Sequence, residues 1–390
     1  MSKIQKIYSR LCALGVLKAL HKTSLIKYFF DYAQANGIAE KLTAYGTFVN
    51  DIYENGGNLT AYTRKVLFEN ENVYVKAVAK EEKISNSIVL TLNNELDAIT
   101  EFSALNSTDF AQDMGADVFI PVYDTEKTDF RCEYIERAKN IKKHGYGIFA
   151  SHCMFSVDEN GEIHAIESAD KIGLEKFIGY ENERQKVLDN TLAFIEGRPA
   201  ANILLYGDAG TGKSSSVKAV ANHFFESGVR LIEIRKNQLL LLPKVMGEIS
   251  KNPLKFIIFI DDLSFNKNDD NFSMLKATLE GSASVKAKNA VIYATSNRRH
   301  IVKETFSERE GNDIHRNDTV QETLSLSERF GLTILFAKPE KKLYLEIVHE
   351  LAARNGIEIT PELDTKAEAF ALNRGYRSAR CAEQFIDSLL

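Results

Sequence analysis

Residues 207–214 match the pattern G-x-x-x-x-G-K-[ST] in full. The glycines of such a loop let backbone N–H groups turn inward around phosphate oxygens, and the following helix adds the positive end of its dipole. Lys213 is predicted to bridge the β- and γ-phosphates of a nucleotide, and the Ser214 hydroxyl to bind Mg²⁺. The predicted phosphate-binding residues are Gly207, Asp208, Ala209, Gly210, Thr211, Gly212, Lys213, Ser214 and Ser215.

Two carboxylates follow an apolar run further along the chain. Residues 256–260 are all apolar, as in a buried strand, and Asp261 and Asp262 come directly after them. At the end of a strand, Asp261 is expected to hold Mg²⁺ through its water shell, together with Ser214. Asp262 stands where a carboxylate polarises an attacking water. The two motifs together predict a site for a nucleoside triphosphate and Mg²⁺.

A third motif suggests a different base. Residues 266–269 read N-K-x-D, the pattern that selects guanine in GTPases. That motif should end a later strand beside the base, whereas here it comes just after the strand that carries Asp261. A polar loop is therefore the favoured interpretation, with guanine binding as the alternative.

Strand-like and helical patterns alternate around these motifs. Beyond residue 171, apolar runs at 202–206, 229–234, 256–260, 290–295 and 332–336 are separated by helical spacing. This alternation predicts βαβ units and a parallel sheet covered on both faces, an α/β domain at residues 171–338. After Pro339 only helical patterns follow, which predicts a helical appendage at residues 339–390. Residues 1–140 are predicted to be mainly helical, and residues 141–170 to form a hairpin or linker that turns at Asn160-Gly161.

Composition sets the class of molecule. A chain of 390 residues suggests two or three domains, and 44% hydrophobic with 26% charged residues excludes a mainly disordered chain. No apolar run approaches the roughly 18 residues that a membrane helix needs. The four cysteines form no CxxC pair, which argues against a disulfide framework or zinc ribbon and predicts a cytoplasmic protein. The net charge of −5 does not support nucleic-acid binding by the chain as a whole.

Together with four further segments, these motifs resemble the AAA+ ATPases. Residues 294–297 are similar to sensor 1, which implies that Asn297 orients the lytic water. Residues 326–331 resemble the arginine-finger segment, which implies that Arg329 reaches the γ-phosphate bound by a neighbouring subunit.

The resemblance extends to both ends of this region. Residues 375–380 are similar to sensor 2, with Arg380 as the implied lid arginine and Arg377 as the alternative. Residues 177–181 resemble the segment that lines the adenine pocket, which adds Ile178 and Gly179 to the nucleotide-binding residues.

Three stretches, 206–216, 259–265 and 294–300, are most similar to an uncharacterised bacterial AAA+ family described as ATP-binding proteins of unknown function. The resemblance covers about residues 171–390. It implies a five-stranded parallel sheet in the order 5-1-4-3-2, helices on both faces and a C-terminal helical lid. It also implies ATP and Mg²⁺ as cofactors and a homo-oligomer joined through Arg329.

Asp262 departs from the pattern of most AAA+ ATPases, which carry Glu after the metal-binding Asp. Its carboxylate lies about 1.5 Å further back, one bond length. Because a catalytic base needs hydrogen-bond reach, slow hydrolysis is expected. The leading hypothesis is a slow ATPase that remodels or regulates an unidentified protein partner.

Two other functions stay open. One is an ATP-dependent switch or scaffold with negligible turnover, including a loader of a nucleic-acid machine, since initiators and helicase loaders of the AAA+ class show a similar Asp-Asp pair. The other is direct DNA or RNA binding through the lid, Arg298-Arg299 or the basic helix within residues 1–30. Such binding should weaken steeply with salt.

Overall fold

The computed structural model describes residues 1–115, 119–167, 172–264, 270–280, 287–297 and 328–390. They form two compact units, Met1–Ser151 and His152–Leu390. The division falls inside the stretch 141–170, which the sequence predicts as a single hairpin or linker. Within the described stretches, no helix is both long enough and apolar enough to cross a membrane.

The first unit is built from helices. Several begin at a residue whose side chain accepts a hydrogen bond from the first turn, as Ser2, Asn58 and Asp129 do. Such caps satisfy N–H groups that have no partner within the helix. The described helices are α1 Lys3–Cys12, α2 Ser24–Gln34, α3 Ile38–Glu54, α4 Leu59–Phe68, α5 Val73–Ala79, α6 Asn86–Ser103, α7 Ser107–Met114, α8 Phe130–Lys139 and α9 Ile141–His144.

Aromatic rings fill the centre of this unit. The ring centroids of Phe29 and Phe102 lie 5.0 Å apart, and those of Tyr32 and Phe110 lie 4.9 Å apart. Edge-to-face pairs at these distances add to the free energy gained by burial. Helix α1 buries its apolar face in the same core. The apolar side of the basic N-terminal helix is therefore used within its own unit.

A seven-stranded sheet forms the centre of the second unit. Its strands are β1 Met154–Val157, β2 Ile163–Ala165, β3 Ile203–Gly207, β4 Val229–Glu233, β5 Lys255–Ile260, β6 Ala290–Ser296 and β7 Leu332–Phe336. Their order across the sheet is β2-β1-β4-β5-β6-β3-β7. All neighbouring strands are parallel except β1 and β2, which form an antiparallel hairpin.

The expectation of a five-stranded sheet is wrong, because two more strands extend the sheet beyond β4. Strand β1 pairs with β4 in parallel, with Met154 opposite Leu231, and β2 pairs with β1. The turn at Asn160-Gly161 is a local signal, whereas pairing between β1 and a strand far along the chain leaves none. The five strands at the predicted apolar runs are consecutive neighbours in the sheet, in the order β4-β5-β6-β3-β7.

Continuous burial marks the inner strands of this sheet. In β5, every residue from Phe256 to Ile260 is buried. Because successive residues of a strand point to opposite faces, both faces of the sheet are covered. The helices of this unit are α10 Glu181–Ile195, α11 Lys213–His223, α12 Leu242–Ile249, α13 Asp270–Glu280, α14 Lys341–Arg354, α15 Pro361–Arg374 and α16 Ala379–Asp387.

Helices α14, α15 and α16 pack around a small core of their own and are called the lid below. Arg377 binds Glu368 of α15 through two hydrogen bonds, Nε to Oε1 at 3.0 Å and Nη2 to Oε2 at 2.7 Å. Helix α16 begins after the capping residue Ser378 and ends at Asp387. It is thus shorter than the helical pattern to residue 390 predicts.

Candidate functional site

The carboxyl ends of β3, β5 and β6 lie at one edge of the sheet, because these strands are parallel neighbours. A cavity of about 340 Å³ lies there, bounded by the loops after these strands, the segment before α10, and the lid helices α14 and α16. The predicted site residues that line it are Ile178, Ala209, Gly210, Thr211, Gly212, Lys213, Ser214, Ser215, Asp261, Asp262, Asn297 and Arg380. Gly179, Gly207 and Asp208 adjoin these residues without lining the cavity themselves.

The loop between β3 and α11 needs glycine for steric reasons. At Gly207 φ is 137°, and a Cβ atom would lie 2.0 Å from the carbonyl oxygen of Phe336 in β7. Gly210 and Gly212 have left-handed φ values of 75° and 86°, which other residues adopt at a cost. These glycines allow the tight turn that brings Lys213, the first residue of α11, to the edge of the sheet.

Lys213 is a buried cation within this loop. Its ammonium group donates hydrogen bonds to the carbonyl oxygens of Gly207 at 2.9 Å and Asp208 at 2.6 Å, and to Asn297 Oδ1 at 3.3 Å. Burial lowers the pKa of Lys213, while the nearby carboxylates of Asp208 and Asp261 act in the opposite direction. A buried positive charge at a helix N-terminus favours an anionic ligand.

Ser214 and Asp261 meet where the sequence predicts the metal. Ser214 Oγ lies 2.5 Å from Asp261 Oδ1, and both are oxygen ligands of the kind that Mg²⁺ prefers. Mg²⁺ is usually held by one or two protein groups, with waters and substrate phosphates completing its coordination. Two oxygens beside a phosphate loop fit this ion. The described stretches contain no cluster of three or more His, Cys, Asp or Glu residues suited to a metal.

Thr295, to which the motifs assign no role, joins the two carboxylates. Its hydroxyl donates to Asp261 Oδ1 at 2.5 Å and accepts the backbone N–H of Asp262 at 3.0 Å. Asp262 has a positive φ of 50°, a conformation that few residues other than Gly, Asn and Asp adopt. The hydroxyl of Thr295 therefore stabilises the strained backbone that carries the Asp262 carboxylate.

Asn297 connects the loop lysine with this carboxylate. Its Oδ1 accepts from Lys213, and its Nδ2 donates to Asp262 Oδ1 at 2.9 Å. The structure thus brings Lys213, Asn297 and Asp262 together in one hydrogen-bonded chain that faces the cavity. Such a chain is able to hold a water against a phosphate bound by the loop.

The segment before α10 and the lid supply an apolar wall. Ile178 lines the cavity with Ile347 and Leu351 of α14. Gly179 approaches the lid so closely that a Cβ atom would lie 2.6 Å from Leu343 Cδ1. A wall of apolar side chains with a few polar groups suits a ligand that carries a flat ring system.

Arg380 and Arg377, the two alternatives for the lid arginine, occupy different places. Arg380 lines the cavity, and its backbone N–H donates to the carbonyl oxygen of Gly210 at 3.3 Å. Arg377 is bound to Glu368 and does not line the cavity. The start of α16 therefore contacts the phosphate loop through Arg380.

Arg329 lies outside the cavity and just before β7. Its guanidinium forms an ion pair with Glu280 at the end of α13, with Nε 2.5 Å from Oε1. Its predicted target belongs to a neighbouring subunit, so its role stays a prediction. Residues 266–269, the Arg298-Arg299 pair and residues 326–327 lie outside the described stretches.

Several residues that line the cavity were not predicted from the sequence. They lie on helices or next to them, where the spacing of apolar residues does not tell a side chain that faces a cavity from one that faces the core. For Arg184 a signal existed, since it lies one helical turn after the adenine-pocket segment. These residues are Lys176, Arg184, Ile347, Leu351, Ala379 and Glu383.

The structure places a glycine-rich phosphate loop between a strand and a helix, with carboxylates after a nearby strand. A polar residue follows the strand between them, and helices α14 and α16 of the lid complete the cavity. These are the features by which the sequence resembles the AAA+ class of P-loop proteins. The chain belongs to the family described as "Protein of unknown function (DUF815)", whose model matches residues 150–390. The match starts where the second unit starts and leaves out nearly all of the first.

Solved structures with some similarity include the Thermotoga maritima RuvB Holliday junction branch migration motor. It shares 16% sequence identity with this chain. The match covers 57% of this chain and 72% of the RuvB chain, with a TM-score of 0.34. The K64R mutant of the same protein shares 15% identity, and the match covers 56% of this chain and 72% of that chain with a TM-score of 0.33. Comparison with curated proteins gives no match. The assignment to a family therefore rests on the family model.

Proposed function

We propose that this protein binds Mg-ATP, hydrolyses it slowly, and uses it to remodel or regulate a protein partner. The observation that carries the proposal is the hydrogen-bonded chain from Lys213 through Asn297 to Asp262, next to the Ser214–Asp261 pair. A phosphate-binding cation, two metal-binding oxygens and a carboxylate for water all face one cavity.

Each of these groups has a separate task in the proposal. Lys213 and the backbone N–H groups of the loop bind phosphate oxygens. Ser214 and Asp261 hold Mg²⁺, which neutralises phosphate charge when bound. Asp262 accepts a hydrogen bond from the attacking water, and Asn297 keeps both the carboxylate and Lys213 in place. Arg380 brings a further positive charge from the lid.

ATP turnover by the full chain tests the proposal. Lys213→Ala removes the buried cation and should abolish both ATP binding and turnover. Asp262→Asn keeps the side-chain shape but cannot take up a proton, so turnover should fall about 100-fold while ATP still binds. Steady-state phosphate release and calorimetric ATP binding are the measurements.

The outcomes separate the parts of the proposal. Wild-type turnover no higher than that of Lys213→Ala, at every protein concentration, would rule out the enzyme. Tight ATP binding with that same lack of turnover would instead support the switch or scaffold, which the short Asp262 side chain and its bond to Asn297 favour. A wild-type protein that binds no ATP would contradict both functions.

Assembly through Arg329 is the other part of the proposal, and mixed variants test it. Arg329→Ala chains keep a complete cavity but lack the arginine, whereas Lys213→Ala chains carry the arginine but bind no nucleotide. If Arg329 acts on a neighbouring subunit, mixing the two inactive proteins should restore part of the turnover. Arg198→Ala, which removes an exposed arginine paired with Glu196, is the control and should leave turnover unchanged. No restoration on mixing would contradict action between subunits.

A further inference from the structure

Arg184, on the first turns of α10, is a buried arginine in the wall of the cavity. Its side chain is 8% exposed, and among described residues its one carboxylate neighbour within 4 Å is Glu181, 3.7 Å away. That glutamate is 74% exposed, and such pairs contribute little. Within the described stretches, the guanidinium donates no hydrogen bond shorter than this contact. Because Arg184 lines the cavity, its donors are available to a ligand that binds there.

Phe177 holds Arg184 in place. The guanidinium carbon lies 5.1 Å from the centroid of the Phe177 ring, a cation–π distance. The same ring approaches the phosphate loop, because a Cβ atom on Gly212 would lie 3.9 Å from its Cδ1 and Cε1 atoms. Both residues line the cavity. Burial lowers the pKa of Arg184, while Glu181 and Glu183 act in the opposite direction.

The chemistry of Arg184 restricts what it can bind. A guanidinium has five N–H donors and no acceptor, so its ligand must offer acceptor atoms. The phosphates of a bound nucleotide already have Lys213, the loop N–H groups and Arg380 at their end of the cavity. The base and ribose offer ring nitrogens, carbonyl oxygens and hydroxyl oxygens, and they suit the apolar neighbours Ile178 and Ile347.

We propose that Arg184 donates hydrogen bonds to the nucleoside half of the bound nucleotide, and that it thereby sets the preference of the cavity for one base. This inference rests on the proposed function, since it requires a nucleotide in this cavity. Arg184 then selects among nucleotides, whereas Lys213 binds the phosphates that all of them share.

Calorimetric titration of the full chain with ATP, GTP, CTP, UTP and inorganic tripolyphosphate tests this role. Arg184→Met keeps an unbranched side chain as far as the position of Nε but removes the guanidinium carbon over Phe177 and every donor. We expect it to bind the preferred nucleotide at least tenfold more weakly than wild type, to discriminate less among the four bases, and to bind tripolyphosphate as wild type does. Lys186→Met removes an exposed cation from the same helix and should change none of these affinities.

Each outcome has one meaning. Unchanged nucleotide binding by Arg184→Met would overturn the inference. Equal losses for ATP and tripolyphosphate would also overturn it, because they would indicate a phosphate contact. If the Met variant melts well below wild type, Arg184→Lys provides the same comparison, with the charge kept and the planar donor set lost. Failure of the wild-type protein to bind any nucleotide would instead contradict the proposed function.

Discussion

Asp261 and Asp262 are adjacent carboxylates with different hydrogen-bond partners. Asp261 accepts hydrogen bonds from the hydroxyls of Ser214 and Thr295 and lies beside the phosphate loop. Asp262 accepts from Asn297 and has a left-handed backbone. Thr295 contacts both aspartates, since its hydroxyl is a donor to the first side chain and an acceptor for the N–H of the second. One hydroxyl on β6 therefore sets the geometry at the end of β5.

Thr295→Val should separate positioning from nucleotide binding. It keeps the branched shape but removes two hydrogen bonds, the one that the hydroxyl donates to Asp261 and the one that it accepts from the Asp262 N–H, whose remaining acceptor is Asp261 Oδ1 at 3.1 Å. Their loss should cost about 1–3 kcal/mol of unfolding free energy. Because Asp262 then loses its fixed position, ATP turnover should fall at least tenfold, with ATP affinity changed less than threefold. Steady-state turnover, ATP titration and urea denaturation are the measurements.

Thr295→Ser is the matched control, because it keeps the hydroxyl and loses only a methyl group. It should recover most of the lost turnover. If Val and Ser variants turn over ATP equally, the hydroxyl has no positioning role.

Among single residues, spacing alone was enough to predict that Lys213, Ser214 and Asp261 lie together, because each belongs to a short motif next to an apolar strand. Their roles stay predictions. Thr295 could not be assigned in the same way, and for Arg184 the only signal was its place one helical turn after the adenine-pocket segment. Their importance depends on which strands are neighbours and on which side chains are buried, and neither property is local in the sequence.

Among the elements, the lid is joined to the rest of its unit by close contacts rather than by the sheet. Arg354 at the end of α14 donates to the backbone carbonyl oxygens of Lys176 and Glu175 at 3.0 and 3.1 Å. Arg380 contacts Gly210. Any change in the packing of the three lid helices should therefore reach both the apolar wall and the phosphate loop.

The Arg377–Glu368 pair makes lid stability depend on pH. The hydrogen bond from Arg377 lowers the pKa of Glu368 below its ordinary value of 4.5. Since the folded state then binds this proton less tightly than the unfolded state, the stabilisation is complete above about pH 4.5 and is lost as the pH falls through the lowered pKa. The free energy of unfolding of wild type should exceed that of Glu368→Gln near neutral pH, and the difference should shrink in acid.

Urea denaturation from pH 7 down to pH 3 measures this difference. Glu350→Gln, which removes the exposed partner of Arg354, is the control and should have a smaller effect throughout. If the free energy of unfolding of Glu368→Gln stays below that of wild type by the same amount at every pH, the ion pair is not the cause of the difference.

The sheet shows what sequence patterns predict at this scale. Apolar runs located the strands from β3 to β7 to within one residue, because strands covered on both faces are mostly apolar. Arg230 in β4 and Thr333 in β7 are exceptions that did not hide the pattern. The hairpin turn at Asn160-Gly161 was also predicted from neighbouring residues alone. The place of the hairpin in the main sheet was not predicted, since β1 pairs with β4 and the chain between these two strands contains β2, β3 and the helices α10 and α11.

For the whole molecule, the division at Ser151 has a practical consequence. The family model matches from residue 150, so the second unit is the part shared with relatives. The first unit has its own core of aromatic and aliphatic side chains. We therefore expect the fragment 152–390 to fold alone and to bind ATP with the affinity of the full chain.

A fragment that starts at residue 171 provides the comparison. It lacks β1 and β2, so β4 becomes an edge with unpaired backbone groups and the fully buried Phe155 is lost. Its melting temperature should be about 5–10 °C lower than that of 152–390, and it should aggregate more readily. Equal melting temperatures and solubility would contradict a structural role for the hairpin.

The position of that hairpin also sets an order of events during folding. The contact between β1 and β4 joins distant parts of the chain, and contacts of this kind form slowly because a long loop must close first. The β1–β2 strands should therefore dock after β4 and β5 have paired. Substitutions in the hairpin should then leave the folding rate almost unchanged and speed unfolding, so that the lifetime of the folded protein depends on its first strands.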